Sequence, residues 1–396
     1  MAKITHIFKT FYPDEPDGGI QEVIHQLGLM SMKHGYEVEV ISLSKKPGVC
    51  DYDGIKCISY KTNIRLSSMP MSVGLMKNFS RIIKNTDIIH LHYPYPFAEL
   101  LTLFHKTSKP IVITFHAPIE GRGVLMNGYA PFVKRLFKKA SVIVPTSPNL
   151  ASTESILNVC KDKIHPIGLW VSDERFNEHH PVEEEFARQV NEYGQFALFV
   201  GVLRTYKGLH YLLDAAKKVN KNILIAGRGP LFKELNRRIR DEDINNVHLL
   251  GYQSNEHVAY LFKKCSFVVL PSITRGECFG VVLLEACHYG KAMISTELGT
   301  GTSWVNTNET GFVIAPRDAD VLAEKMNYLF DNSEQSRILG AHAQKRANEI
   351  KPYKEQYSIM KKATEPMVTY TNNRKSSNVI ADARDDIRCV IFSEEF

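Results

Sequence analysis

The chain of 396 residues contains no run of about eighteen uncharged apolar residues, which excludes a membrane-spanning helix. Its seven cysteines, at positions 50, 57, 160, 265, 278, 287 and 389, are odd in number and include no C-x-x-C pair. That suits neither a disulfide framework nor a zinc site and predicts free thiols in a reducing compartment. The N-terminal MAKITHIFKT lacks the apolar core and small-residue cleavage site of a signal peptide, so a cytoplasmic location is expected. No G-x-G-x-x-G is present, which weakens a dinucleotide-binding reading. The net charge of +6 is unevenly spread, with 21 Lys and Arg against 16 Asp and Glu before residue 181 (+5) and 28 against 27 after it (+1). This is too little for a dedicated nucleic-acid protein, but it suits a front half that approaches an anionic membrane or a phosphate-bearing substrate.

What is present is ordinary globular composition, 44% hydrophobic and 23% charged, over a length that exceeds one hydrophobic core. The front half alternates apolar runs (KITHIF, YEVEVISL, IKCISY, DIIHLH, PIVITF, SVIVP, KIHPIG) with helical patterns, the first helix running from about Gly19 to His34. After a polar break between Trp170 and Gln195 the alternation restarts with FALFVG, NILIAG, NVHLLG, SFVVLP, KAMIST and GFVIA. Continuous apolar strands with crossover helices predict open, parallel, doubly wound sheets. The fold class expected is therefore α/β, with two Rossmann-like domains, 1–175 and 176–352, facing a cleft. A further helix over 353–365 is expected to return toward the front domain, and 366–396 reads as a tail whose role the sequence does not give.

The most informative segment is PSITRGECFGVVLLEACHYGKAMIST. An apolar strand ends at Pro271, a polar loop follows, and a helix is expected to start near Phe279. Glu277 and Glu285, with seven residues between them, then lie on one side of the helix, beside free N–H groups of Phe279, Gly280 and Val281. Such N–H groups suit a phosphate or sugar oxygen, and a carboxylate can accept from two hydroxyls of a diol. In VGVLRTYKGLHYLLDAA, Arg204 and Lys207 follow a strand end, where two cations can hold a diphosphate and neutralise charge developing on it. In TFHAP, His116 stands at the lip of a strand, where a lone histidine is by itself more often structural than functional. In FYPDEPDGGIQEV, Gly18 and Gly19 open the first helix and allow close backbone approach to an anion.

These segments, in this order over roughly residues 1–365, resemble the retaining glycosyltransferases of the GT-B fold, specifically their large fourth family. The resemblance implies that Glu285 binds the ribose, and that Glu277 with the amides of Phe279, Gly280 and Val281 clamps the donor sugar. It further implies that Lys207 meets the diphosphate, that His116 contacts the donor hexose, and that Gly19 lies near donor phosphate and acceptor. The family's G-R-L turn has Val202 at the usual arginine position here, so Arg204 is a substitute from two residues away. AGRGP and LLGY place Gly227, Gly251 and Tyr252 where the family's loops flank the nucleobase.

His90 and His92 in HLHYP share one face of a strand, but no third ligand stands nearby in sequence, so they read as structural and no metal or other cofactor is expected. In YAPFVKRLFKKA, Phe132, Val133, Leu136 and Phe137 form an apolar side and Lys134, Arg135 and Lys138 a basic one, a pattern that fits either a helix covering the sheet or one resting on anionic lipid through Lys134 to Lys139. The stretches HYPYPFAELL, TFHAP and VGVLRTYKGL are most similar to bacterial transferases of O-antigen and related surface polysaccharides. The resemblance implies a nucleotide-sugar donor, GDP-mannose in the first instance, a lipid-linked saccharide acceptor and reaction with retention. Two alternatives stay open: a nucleotide-sugar 2-epimerase of the same fold, and a non-catalytic scaffold that binds nucleotide-sugars.

Overall fold

The computed structural model describes residues 1–13, 18–66, 69–119, 123–169 and 182–350. Of the polar break between Trp170 and Gln195, 170–181 lie outside these residues and Glu184–Glu192 form a helix, while the expected helix and tail beyond 350 also lie outside them. The strands are β1 (Lys3–Ile7), β2 (Glu37–Ser44), β3 (Gly48–Tyr52), β4 (Ile55–Lys61), β5 (Ile64–Leu66), β6 (Met69–Met71), β7 (Ile88–Tyr93), β8 (Ile111–Phe115) and β9 (Val142–Pro145). The second series is β10 (Phe196–Val200), β11 (Asn222–Ala226), β12 (Val247–Gly251), β13 (Phe267–Leu270), β14 (Ala292–Thr296) and β15 (Gly311–Ile314). The apolar residues of the central parallel strands are buried on both sheet faces, as strands covered by helices must be, whereas Val49 of β3 and Ile64 and Leu66 of β5 are exposed.

The front sheet runs β3-β4-β2-β1-β7-β8-β9 and the back sheet β12-β11-β10-β13-β14-β15, with β5 and β6 forming a separate hairpin. All pairings in the two large sheets are parallel except β3 with β4. KIHPIG, expected as a further strand, makes only one bridge, between Ile143 and Ile164, because its first residues close a 3-10 turn that ends at Lys163. Strand order reverses between β1 and β7 in front and between β10 and β13 behind, so each sheet opens a crevice beyond its carboxyl edge at that point.

The carboxyl edges face each other. A Cβ added to Gly19, at the start of the first helix, would lie 4.0 Å from Val281 Cγ2, at the start of the helix after β13. Val23, Leu27 and Met30 of that first helix join the apolar cluster of the back sheet. Polar ties close one side: Arg275 ion-pairs with Glu154 at 2.5 Å and donates to Thr153 Oγ1 at 2.7 Å, while Thr153 Oγ1 donates to the Gly299 carbonyl at 2.7 Å. Asn149 Nδ2 donates to Ser303 Oγ at 3.1 Å. No helix among the described residues is long and apolar enough to cross a membrane.

Candidate active site

Some helix starts carry side-chain caps and others, those at Pro96, Glu184, Leu209, Phe232, Thr302 and Ser333 among them, do not. Those at Val73, Pro148, Asn255 and Ala319 are capped by the side chains of Ser72, Ser147, Ser254 and Asp318, which accept from the first-turn N–H groups and close them off. The helices Gly19–Lys33 and Val281–His288 have glycine caps, Gly18 and Gly280, and no side-chain cap. With Gly19 and Val281 close to each other, the positive dipole ends of these two helices meet across the cleft, a setting for an anion. The second helix starts at Val281, two residues later than the sequence predicts, because Phe279 is a buried loop residue packed against Gly301 and Trp304. No backbone hydrogen bond between described residues engages the N–H of Phe279, Gly280 or Val281.

At the back crevice, Lys207 closes a 3-10 turn after β10 and Glu277 lies in the loop after β13. The two side chains, from residues 9% and 6% exposed, form an ion pair, and Ser272 Oγ donates to Glu277 Oε2 at 2.9 Å. Burial works against the Lys207 ammonium, but the attraction of Glu277 outweighs it and raises the pKa, so lysine is held charged. The two loops are locked together: Ile273 N–H donates to the Tyr206 carbonyl at 2.8 Å, and Gly208 has φ +69° with its missing Cβ directed 1.9 Å from the Pro271 carbonyl oxygen. Only glycine fits there. Thr300 Oγ1 holds the Glu277 carbonyl at 2.8 Å. Ser272, Tyr206 and Thr300 were not singled out from sequence, since serine, tyrosine and threonine in loops carry no distinctive spacing.

Arg204 is exposed at the head of the turn, and its carbonyl accepts from Lys207 N–H at 3.0 Å. Glu285 is buried in the second turn of its helix. Gly227 has φ +141°, donates to the Gly251 carbonyl at 2.7 Å, and passes so close to Gly201 that a Cβ would stand 2.0 Å from its carbonyl oxygen. Gly251 and Gly227 thus bring two loop backbones side by side beyond the sheet edge. Tyr252 is exposed and borders a hollow lined by Phe186, His248 and His257, away from the Lys207–Glu277 pair.

At the front crevice, His116 follows β8 and is buried. Its Nε2 meets His92 Nδ1 at 3.0 Å, and His92 Nε2 meets His6 Nδ1 at 3.0 Å. His90 bonds Thr114 Oγ1 at 2.8 Å. The third histidine that the sequence did not show beside His90 and His92 is His6, brought in by the pairing of β1 with β7; ring nitrogens of these three lie within 4.8 Å of one another. Desolvation lowers all four pKa values, those of His6 and His116 to about 3, so the rings are neutral.

The basic helix departs from its expected pattern. Val133, Leu136, Phe137 and Ala140 are buried, but Phe132 is 41% exposed and meets Phe104, itself 67% exposed, at a ring separation of 6.1 Å. Lys139 Nζ is spent on the carbonyls of Thr102 and His105, at 3.0 and 2.9 Å, leaving Lys134, Arg135 and Lys138 as the exposed cations.

Residues 182–346 match the family described as glycosyl transferases group 1, and residues 17–175 the one described as glycosyltransferase family 4. O-antigen chain mannosyltransferase C of Escherichia coli is 35% identical over 357 residues, 88% of this chain and 94% of its own length. D-rhamnosyltransferase WbpZ of Pseudomonas aeruginosa is 34% identical over 352 residues, 88% and 92% of the two chains. Among solved structures, sucrose-phosphate synthase from Thermosynechococcus elongatus aligns with a TM-score of 0.73 at 16% identity, over 96% of this chain and 100% of that one. HepE of Anabaena, solved in complex with UDP and glucose, aligns with a TM-score of 0.70 at 16% identity, over 93% and 100%. These likenesses establish the GT-B fold.

Proposed function

Since the chain belongs to the group 1 family of glycosyltransferases, we propose that it moves mannose from GDP-mannose, with retention and without a metal ion, to a hydroxyl of a lipid-linked saccharide during assembly of an O-antigen-like polysaccharide. The observation that carries this reading is the buried Lys207–Glu277 pair at the back crevice. A nucleotide-sugar laid across it meets lysine with its diphosphate and glutamate with its sugar hydroxyls, while Glu285 receives the ribose and the backbones at Gly227 and Gly251 flank the base. As the glycosidic bond breaks, charge grows on the departing diphosphate. Lys207, with Arg204 swinging in from the rim and the N–H groups of the Val281 helix, neutralises it, which is the service a divalent cation gives in other transferases. His116 touches the hexose from the opposite side. The departing phosphate then helps to take the acceptor's proton on the same sugar face.

The mannosyl assignment draws on the mannosyltransferase of E. coli, and the D-rhamnosyltransferase of P. aeruginosa supports the same ring configuration, because D-rhamnose is mannose without its 6-hydroxyl. Membrane contact is supported by the exposed Phe104–Phe132 pair beside Lys134, Arg135 and Lys138, an apolar wedge framed by cations.

The test is nucleoside diphosphate release in EDTA from a panel of GDP-, UDP-, dTDP- and ADP-sugars, with and without a lipid-linked acceptor, beside Lys207→Ala. Turnover confined to GDP-mannose and lost in the variant is the expected result. Dependence on added metal removes the metal-free mechanism, preference for GDP-rhamnose moves the sugar assignment, and conversion of the donor to its epimer replaces the reaction class.

A further inference from the structure

Four histidines share one face of three adjacent strands: His6 registers with His90, His92 lies two residues further along β7, and His92 registers with Thr114, two residues before His116. In the pairs His6–His92 and His92–His116 the ring centroids are 5.3 Å apart, the planes differ by 22° and 26°, and the nitrogens are 3.0 Å apart. Rings that close in nitrogen yet far apart in centre, in nearly common planes, meet edge to edge, with an N–H aimed at a lone pair. His6, His92 and His116 therefore form a hydrogen-bonded ribbon leading from the sheet interior to the cleft. His90 lies against it, 4.6 Å from the rings of both His6 and His92, but bonds outward to Thr114.

A neutral imidazole carries one proton and one lone pair. Across three neutral rings joined by two bonds, only two arrangements make both bonds. Either every proton sits on Nε2, so that His116 donates to His92 and His92 to His6, or every proton sits on Nδ1 and the direction is reversed. The first leaves an N–H at His6 Nε2, the second a lone pair there. His6 Nε2 is buried and has no hydrogen-bond partner among the described residues. A buried N–H left unpaired costs more than an acceptor left unpaired, so the second arrangement wins.

From this we infer that His6, two rings from the cleft, sets the tautomer of His116 through His92, so that His116 offers a neutral Nδ1–H donor to the sugar in the cleft. His6 and His92 are positioning residues, and the link to sugar rests on the role proposed above for His116. The low pKa of each ring keeps the ribbon neutral through ordinary pH.

The full chain labelled with 15N-histidine, studied by two-bond 15N–1H correlation at neutral pH, reports which nitrogen of each ring is protonated. Nδ1–H is expected on His6, His92 and His116. His6→Asn puts an amide N–H where Nδ1–H was, and should keep both the His116 tautomer and kcat/KM to within about twofold. His6→Asp offers His92 only acceptor oxygens, which should move the proton of His116 to Nε2 and lower kcat/KM about tenfold, the effect of losing one buried donor. His90→Gln, which removes a ring packed on the ribbon but none of its bonds, should leave the tautomer unchanged. An Nε2–H on His116 in the wild-type protein overturns the inference, and that spectrum decides even where a variant does not fold. A His116 tautomer indifferent to His6→Asp, or zinc bound among His6, His90 and His92, also overturns it. A tautomer that moves as expected while turnover stays constant upholds the ribbon and removes His116 from the sugar site.

Discussion

The front crevice holds four histidines kept neutral by burial, whereas the back crevice holds a buried lysine kept charged by the glutamate it pairs with. Both crevices lie at the reversal of strand order in a parallel sheet, so topology alone does not explain the contrast. On the function proposed above the back crevice receives a diphosphate, and a buried ion pair keeps a cation in place at a tolerable desolvation cost until phosphate arrives. On the role proposed for His116 the front crevice recognises hydroxyls, for which directed neutral hydrogen bonds suffice. The lesson is that two halves of one architecture can divide a reaction into charge handling and neutral recognition.

Acid should break the comparison most severely. The folded pKa of about 3 for His6 and His116 lies below the ordinary 6.5, so the unfolded chain binds more protons and stability falls as pH drops below 6.5. At pH 5 each of these two rings costs about 2 kcal/mol of stability, measurable as a fall in the denaturant midpoint. Lys207→Ala comes next: it should lower turnover about 10²–10³-fold in a nucleoside diphosphate release assay and also lower Tm, because Glu277 is left buried without its cation.

Glu99 offers a smaller and opposite test within the front half. Burial raises its pKa from 4.5 to about 7 despite hydrogen bonds from Tyr129 Oη and from Tyr95 N–H. Its contribution is fully present below pH 4.5 and lost as pH rises through about 7. Glu99→Gln should therefore stabilise the protein by about 3 kcal/mol at pH 8 and by little at pH 4, seen by comparing denaturation at the two values. The smallest effect expected is that of Arg275→Ala, whose partly exposed pair with Glu154 is worth about 1 kcal/mol at most in Tm terms.

Much of this was legible beforehand for a simple reason: buried parallel strands announce themselves as unbroken apolar runs, as FALFV and FVVL do at Phe196–Val200 and Phe267–Leu270. Lys207 and Glu277 were legible through their place after strands, although not their contact with each other. The errors have local causes. Phe279 looks like the first apolar residue of a helix but fills a loop against Gly301, and Phe132 flanks the buried series Val133, Leu136, Phe137 and Ala140, whose i, i+3, i+4, i+7 spacing leaves it outside. His6 stands 84 residues before His90, and nothing in the chain's local pattern says that β1 lies beside β7. Adjacency of strands distant in sequence is decided by how the sheet is wound.

Arg275 lies two residues before Glu277, and its guanidinium reaches Glu154 and Thr153 on the other half of the molecule. On the role proposed for Glu277, the loop that grips is also the latch. If the halves part to let a product leave, that tie must break, and the pull reaches the carboxylate through a two-residue tether. Opening and loosening of the grip are then one mechanical event, and the enzyme lets go of what it holds by the same motion that exposes it to water.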